Sequence, residues 1–117
     1  MGRKRYIPKA ERERREKRER IRESMIAQLQ AAGKDTPYLL SKVEQYMVSW
    51  DNAEAFADDI QERGQVVEEP NSRGDMVKKV NPSVNARQKE IASMNAIEAV
   101  LKLHEPVQKR SDEDDYL

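Results

Sequence analysis

The chemistry available to this chain lies in its charges rather than in a reactive nucleophile. Its single histidine, His104, has no second histidine and no cysteine with which to build a metal set. It falls at the end of an expected helix, where a protonated, solvent-exposed imidazole suits the helix dipole. Asp58, Asp59 and Glu62 fit within one helical turn, and acids so placed are expected to form a hydrated face rather than an acid/base or metal site. Gly64 and Gly74 stand too far apart for a phosphate-cradling loop and have no Lys-Ser/Thr partner. The expectation is a protein with no catalytic residues, no metal ligands and no cofactor.

The cations are more informative. Residues 1–23 hold eleven Lys/Arg and five Glu, whereas residues 111–117 hold four acids and no base. The formal net charge of zero thus conceals a chain with a positive start and a negative tail. Arg3, Lys4, Arg5 and Lys9 sit in a stretch free of acids. Arg12, Arg14, Arg15, Lys17, Arg18, Arg20 and Arg22 then alternate with Glu. Lysine and arginine placed against phosphates release counterions, which gives salt-sensitive, sequence-independent affinity for nucleic acid, and a helix fits the major groove of a duplex. All of these cations except Arg20 are the candidate DNA contacts. Arg73, Lys78 and Lys79 form a smaller basic patch, where lysines on strand edges also guard against sheet aggregation.

These residues need elements to hold them. Residues 1–8 read as a flexible basic arm, with Gly2 and Pro8 opposing helix. Residues 9–32 read as a helix with a linker to residue 36. Its first half has no apolar face and is laced by i,i+4 Glu-to-Lys/Arg pairs such as Glu11 with Arg15. Its second half places Ile21, Met25, Ile26 and Leu29 at helical spacing, and Gly33 is a stop signal. Thr36-Pro37 opens a second helix, as N-cap and first-turn proline. Leu39, Leu40, Val43, Tyr46, Met47, Trp50, Ala53, Ala57 and Ile60 recur along it at three and four, and Gly64 closes it. Tyr38, Tyr46 and Trp50 are expected in core or interface rather than as a base-stacking platform. Residues 65–69 and 76–80 are strand candidates around a turn at Pro70-Asn71-Ser72-Arg73-Gly74. Asn81-Pro82 opens a third helix ending near Leu103. Residues 104–117 read as a disordered acidic tail.

The predicted fold is therefore mainly α, a basic N-terminal helix followed by a helix–hairpin–helix core over 37–103. Charged residues make up 38% of the 117-residue chain, against roughly 25% in an average globular protein. A short chain this charged buries only a small core alone, yet Ile91, Met94, Ile97, Val100, Leu101 and Leu103 spread over more than one stripe of the last helix. Leu39, Val43, Tyr46, Met47, Trp50, Ile60, Ile91, Met94, Ile97 and Leu101 are the candidate core and oligomer interface, with copies of the chain completing it. No apolar run nears the ~20 residues of a membrane helix, the basic start lacks the apolar stretch of a signal peptide, and the missing cysteines fit a reducing compartment.

In order, Gly2-Arg3, Tyr38-Leu39, Tyr46, Trp50, Gly64, Gly74, Asn81-Pro82 and Leu101-Lys102-Leu103 resemble the small subunit of phage terminases over about residues 37–103. The resemblance implies a non-catalytic, ring-forming partner in the host cytoplasm. Such a subunit binds double-stranded viral DNA at the packaging-initiation site and regulates a large ATPase-nuclease subunit. Many members begin with a compact helix-turn-helix, whereas the first 36 residues here supply one clear helix. The alternative from the residues themselves is a helical adaptor whose basic helix pairs with an acidic protein surface.

Overall fold

The structure, a computed structural model, describes residues 6–103. Arg3, Lys4, Arg5, His104 and the expected acidic tail lie outside these residues. The elements are α1 (Lys9–Ala31), α2 (Pro37–Arg63), β1 (Val66–Pro70), β2 (Met76–Val80) and α3 (Pro82–Leu101), the mainly helical order read from the sequence.

Each boundary has a local cause. At the end of α1, Lys34 N–H donates to Leu29 C=O (2.8 Å) and Gly33 N–H to Gln30 C=O (3.0 Å), with Gly33 at φ +68°. These two hydrogen bonds satisfy carbonyls that a helix end would otherwise orphan. At the start of α2, Thr36 Oγ1 accepts from Leu39 N–H (3.3 Å), and Pro37 fills the first helical position. Gly64, at φ +89°, terminates α2. Asn81 caps α3 by accepting the Ser83 N–H on its side-chain oxygen (3.0 Å). That helix stops at Leu101, two residues earlier than expected, because Lys102 turns left-handed at φ 50°.

β1 and β2 form a two-stranded antiparallel sheet with Val66 opposite Val80, Glu68 opposite Lys78 and Pro70 opposite Met76. Pro70, expected in the turn, is the last residue of β1. The ladder tolerates it because Asn81 N–H bonds Gln65 C=O and Asn71 N–H bonds Asp75 C=O, which assigns the cross-strand bonds to odd-numbered residues. The nitrogen of Pro70 faces outward, where no ladder bond is lost. The turn is fixed by Asn71, whose side-chain oxygen accepts from Arg73 N–H (2.9 Å) and Asp75 N–H (3.0 Å).

The chain divides into two compact units. In the first, residues 6–44 with 101–103, the buried side chains are Ile21, Met25 and Leu29 of α1 with Val43 and Leu101. Leu39 is half-buried, and Tyr38 is exposed with the Lys42 ammonium 5.5 Å from its ring centre. In the second, Gln45–Val100, the continuation of α2 runs antiparallel to α3. The two helices are linked at three levels, Ser83 to Asp59 (2.6 Å), Asn52 to Glu90 (3.3 Å) and Tyr46 to Glu98 (3.3 Å). Tyr46, Met47, Trp50, Ala53 and Val67 are buried there, while Ile60, Ile91, Met94 and Ile97 are half-buried. Burial, reinforced by the Glu98 carboxylate, pushes the Tyr46 phenol well above its ordinary pKa.

Candidate nucleic-acid interface

The buried positions of α1 advance by four, Ile21, Met25, Leu29. Continued toward the N-terminus, the same stripe passes through Arg18 and Arg14, the two cations in the first half of the helix that are not fully exposed. The side chain of Arg18 is 29% exposed, that of Lys9 81%. At about 100° per residue, Lys9, Arg12 and Arg20 fall on the opposite side of the helix, with Lys17 on its flank. Arg12, Lys17 and Arg20 make no ion pair with any other described residue. α1 therefore carries one docked stripe and, behind it, one face of available cations.

The remaining cations are engaged to different degrees. Lys9 reaches Glu13 at 3.9 Å, Arg15 reaches Glu11 at 2.8 Å and Arg18 reaches Glu19 at 3.3 Å, all neighbours on the same helix. Exposed pairs of this kind are weak, ~0.2–1 kcal/mol each, and yield readily to a phosphate. Arg22 is held differently. Its Nε donates to both carboxylate oxygens of Glu44 on α2, at 2.8 and 2.9 Å, and the Glu44 hydrogen bond raises its already high pKa. It ties α1 to the first turns of α2. Of the cations expected to contact DNA, the structure gathers Lys9, Arg12 and Lys17 on or beside the free face. Arg15 lies at an exposed position, and Arg14, Arg18 and Arg22 lie on the docked side. Arg20 belongs to the free face and was not singled out by its sequence context, although continuing the 29-25-21 stripe backward would have found it.

A second polar constellation closes the base of the hairpin. Asp59 Oδ1 accepts from Arg63 Nε (2.7 Å), and Oδ2 accepts from Arg63 Nη2 (2.8 Å), Ser83 Oγ (2.6 Å) and Asn81 Nδ2 (3.1 Å). Asn81 is fully buried and also donates to Gly64 C=O (3.0 Å). Its side-chain oxygen accepts from Arg63 (3.2 Å) and from Ser83 N–H. The Arg63 and Ser83 bonds hold the Asp59 carboxyl far below the usual carboxylate range. The sequence reading of Asp59 as part of a hydrated acidic face is thus corrected. Its oxygens are consumed by structural partners, and such a carboxylate is no general base. Among the described residues no cluster of acids or histidine is placed to hold a metal ion.

No helix of the described chain is long and apolar enough to cross a membrane. Comparison with known families finds a match to the family described as phage terminase, small subunit, over residues 19–111. The match begins inside α1, so the elements from its docked half through α3 carry it, and Lys9, Arg12 and Lys17 precede it. Neither a curated protein nor a solved structure matches the chain. The ordered set of Gly64, the hairpin, Asn81-Pro82 and the last helix lies wholly within the matched span. The chain belongs to the phage terminase small subunit family, and its role lies in phage DNA packaging.

Proposed function

We propose that this chain is the non-catalytic DNA-recognition subunit of the packaging machine. In this reading it assembles as a homo-oligomeric ring and holds double-stranded viral DNA through α1 and the basic residues before it. It also recruits and regulates the large ATPase-nuclease subunit. The observation that carries DNA contact is the face of α1 bearing Lys9, Arg12 and Arg20, set opposite the stripe by which that helix docks. A cationic face on a docked helix presents charge to a partner without giving up its own anchorage. Self-assembly is supported by Ile91, Met94 and Ile97, which remain half-buried within their own unit. A ring would also repeat a weak phosphate-binding face many times, turning modest affinity into avidity.

Light scattering and duplex-DNA binding on the full chain test the reading. The expected result is a mass of several protomers and an affinity whose logarithm falls against log salt by about 0.9 per phosphate neutralised. A monomer that ignores duplex DNA at low salt would refute it. The Lys9–Glu13, Arg15–Glu11 and Arg18–Glu19 pairs lower the positive field of α1, and with it the case for DNA over a second reading, a helical adaptor that meets an acidic protein surface. An oligomer without DNA affinity would select that one.

A further inference from the structure

The hairpin has two unused edges, and they differ. Because the odd-numbered residues carry the ladder, the N–H and C=O groups of Val66, Glu68, Met76, Lys78 and Val80 point away from it, as does the carbonyl of Pro70. Among the described residues none of these groups has another backbone partner. Every residue of β2 is exposed, and Val67 is the only buried residue of either strand. A two-stranded sheet so thinly supported is marginal in water, and an unpaired edge is a template for another strand.

We infer that β2 of one copy pairs antiparallel with β1 of the next, head to tail, with Lys78 opposite Glu68 of the next copy. This rests on the proposed ring and assigns part of its interface. The register is selected by charge and shape. Within one chain Glu68 faces Lys78, Val66 faces Val80 and Pro70 faces Met76. Repeating that register between copies sets every Lys78 between two glutamates and continues the valine row across the sheet. It also covers the exposed side chains of Val66, Met76 and Val80, now 58, 61 and 57% accessible. A shift by two residues sets Lys78 against Val66 or Pro70, and Glu68 against Met76 or Val80. Two-fold pairing of β2 with β2 centred on Lys78 opposes like charges. Two-fold pairing of β1 with β1 opposes Glu68 to Glu68 and is further hindered by Pro70, which offers no N–H. The unlike edges thus favour a heterologous contact, the kind that closes into rings.

Hydrogen exchange on the full-length assembly tests this directly. The outward amides of Glu68, Met76, Lys78 and Val80 are expected to exchange at least about tenfold more slowly in the assembly than after dilution to protomers. An assembly whose outward amides exchange at the protomer's rate overturns the inference and leaves the ring intact. A parent chain that stays monomeric overturns both. Two edge-blocking variants supply a second test. Lys78→Pro removes an outward N–H from β2, and Glu68→Pro removes one from β1, without deleting a ladder bond. Each alone is expected to reduce the assembly mass, with Trp50 fluorescence unchanged. Mixed one to one they retain one open β2 edge and one open β1 edge, and they are expected to pair. Masses equal to the parent's for both variants contradict the head-to-tail edge contact.

Discussion

Arginine and acid meet along the first half of α1 and again at the base of the hairpin, with opposite results. Along the first half of α1 they alternate in solvent, with Lys9–Glu13, Arg15–Glu11 and Arg18–Glu19 joining neighbours on one helix, and Arg12, Lys17 and Arg20 are left with no ion pair among the described residues. At the base of the hairpin, Arg63 and Asp59 are joined by two hydrogen bonds and then sealed by Asn81 and Ser83. The composition is similar, but the first arrangement keeps charge available and the second consumes it. What separates them is a buried amide: Asn81 turns an ordinary i,i+4 pair into a junction between α2, the hairpin and α3. Exposed pairs are exchangeable for a partner's phosphates, whereas a closed network specifies shape.

The difference is broken most severely at Asn81. Asn81→Ala removes the cap of α3 and orphans partners at a buried site, for an expected loss of roughly 2–4 kcal/mol in chemical denaturation. DNA affinity of the folded fraction should be unchanged. The converse change is Arg12→Gln, Lys17→Gln and Arg20→Gln together. Stability should move by no more than about 0.5 kcal/mol per site, while the slope of log affinity against log salt flattens by about 2–3. A triple variant that keeps the parental slope would mean that DNA lies elsewhere.

Acid offers a milder probe. The lowered pKa of Asp59 means that its contribution is complete above the ordinary carboxylate value of about 4 and is lost progressively as pH falls toward its folded value. Tyr46, with a raised pKa, contributes below the ordinary phenol value of about 10 and loses that contribution as pH rises beyond it. Denaturation midpoints should therefore fall at both extremes, and Asp59→Asn should flatten the acid limb alone. The smallest expected effect is that of Glu11→Gln, which releases Arg15. It should cost no more than about 0.5 kcal/mol and steepen the salt slope by up to about 1.

The helix boundaries were legible because their signals are local. Thr36-Pro37, Gly33, Gly64 and Asn81-Pro82 each act within a few residues of themselves. The role of Asp59 was not, because its decisive partners Asn81 and Ser83 lie 22 and 24 residues away. The face of α1 was legible in principle, since the Ile21-Met25-Leu29 spacing fixes which arginines point inward. Alternating glutamates masked it, for they make every side of the helix look equally charged. Pro70 read as a turn residue because proline seldom joins a ladder, and only the register reveals that its nitrogen faces outward.

The bond from Asn81 to the carbonyl of Gly64 has an evolutionary corollary. It fastens the chain just before the hairpin to the chain just after it, so the two helices hold their spacing whatever the excursion between them does. Residues 71–75 at the far tip are then a natural insertion cassette. Successive lineages could lengthen or redecorate that tip to suit new hosts or new motors, and an experimenter could graft an epitope at Ser72, without re-engineering the helices beneath.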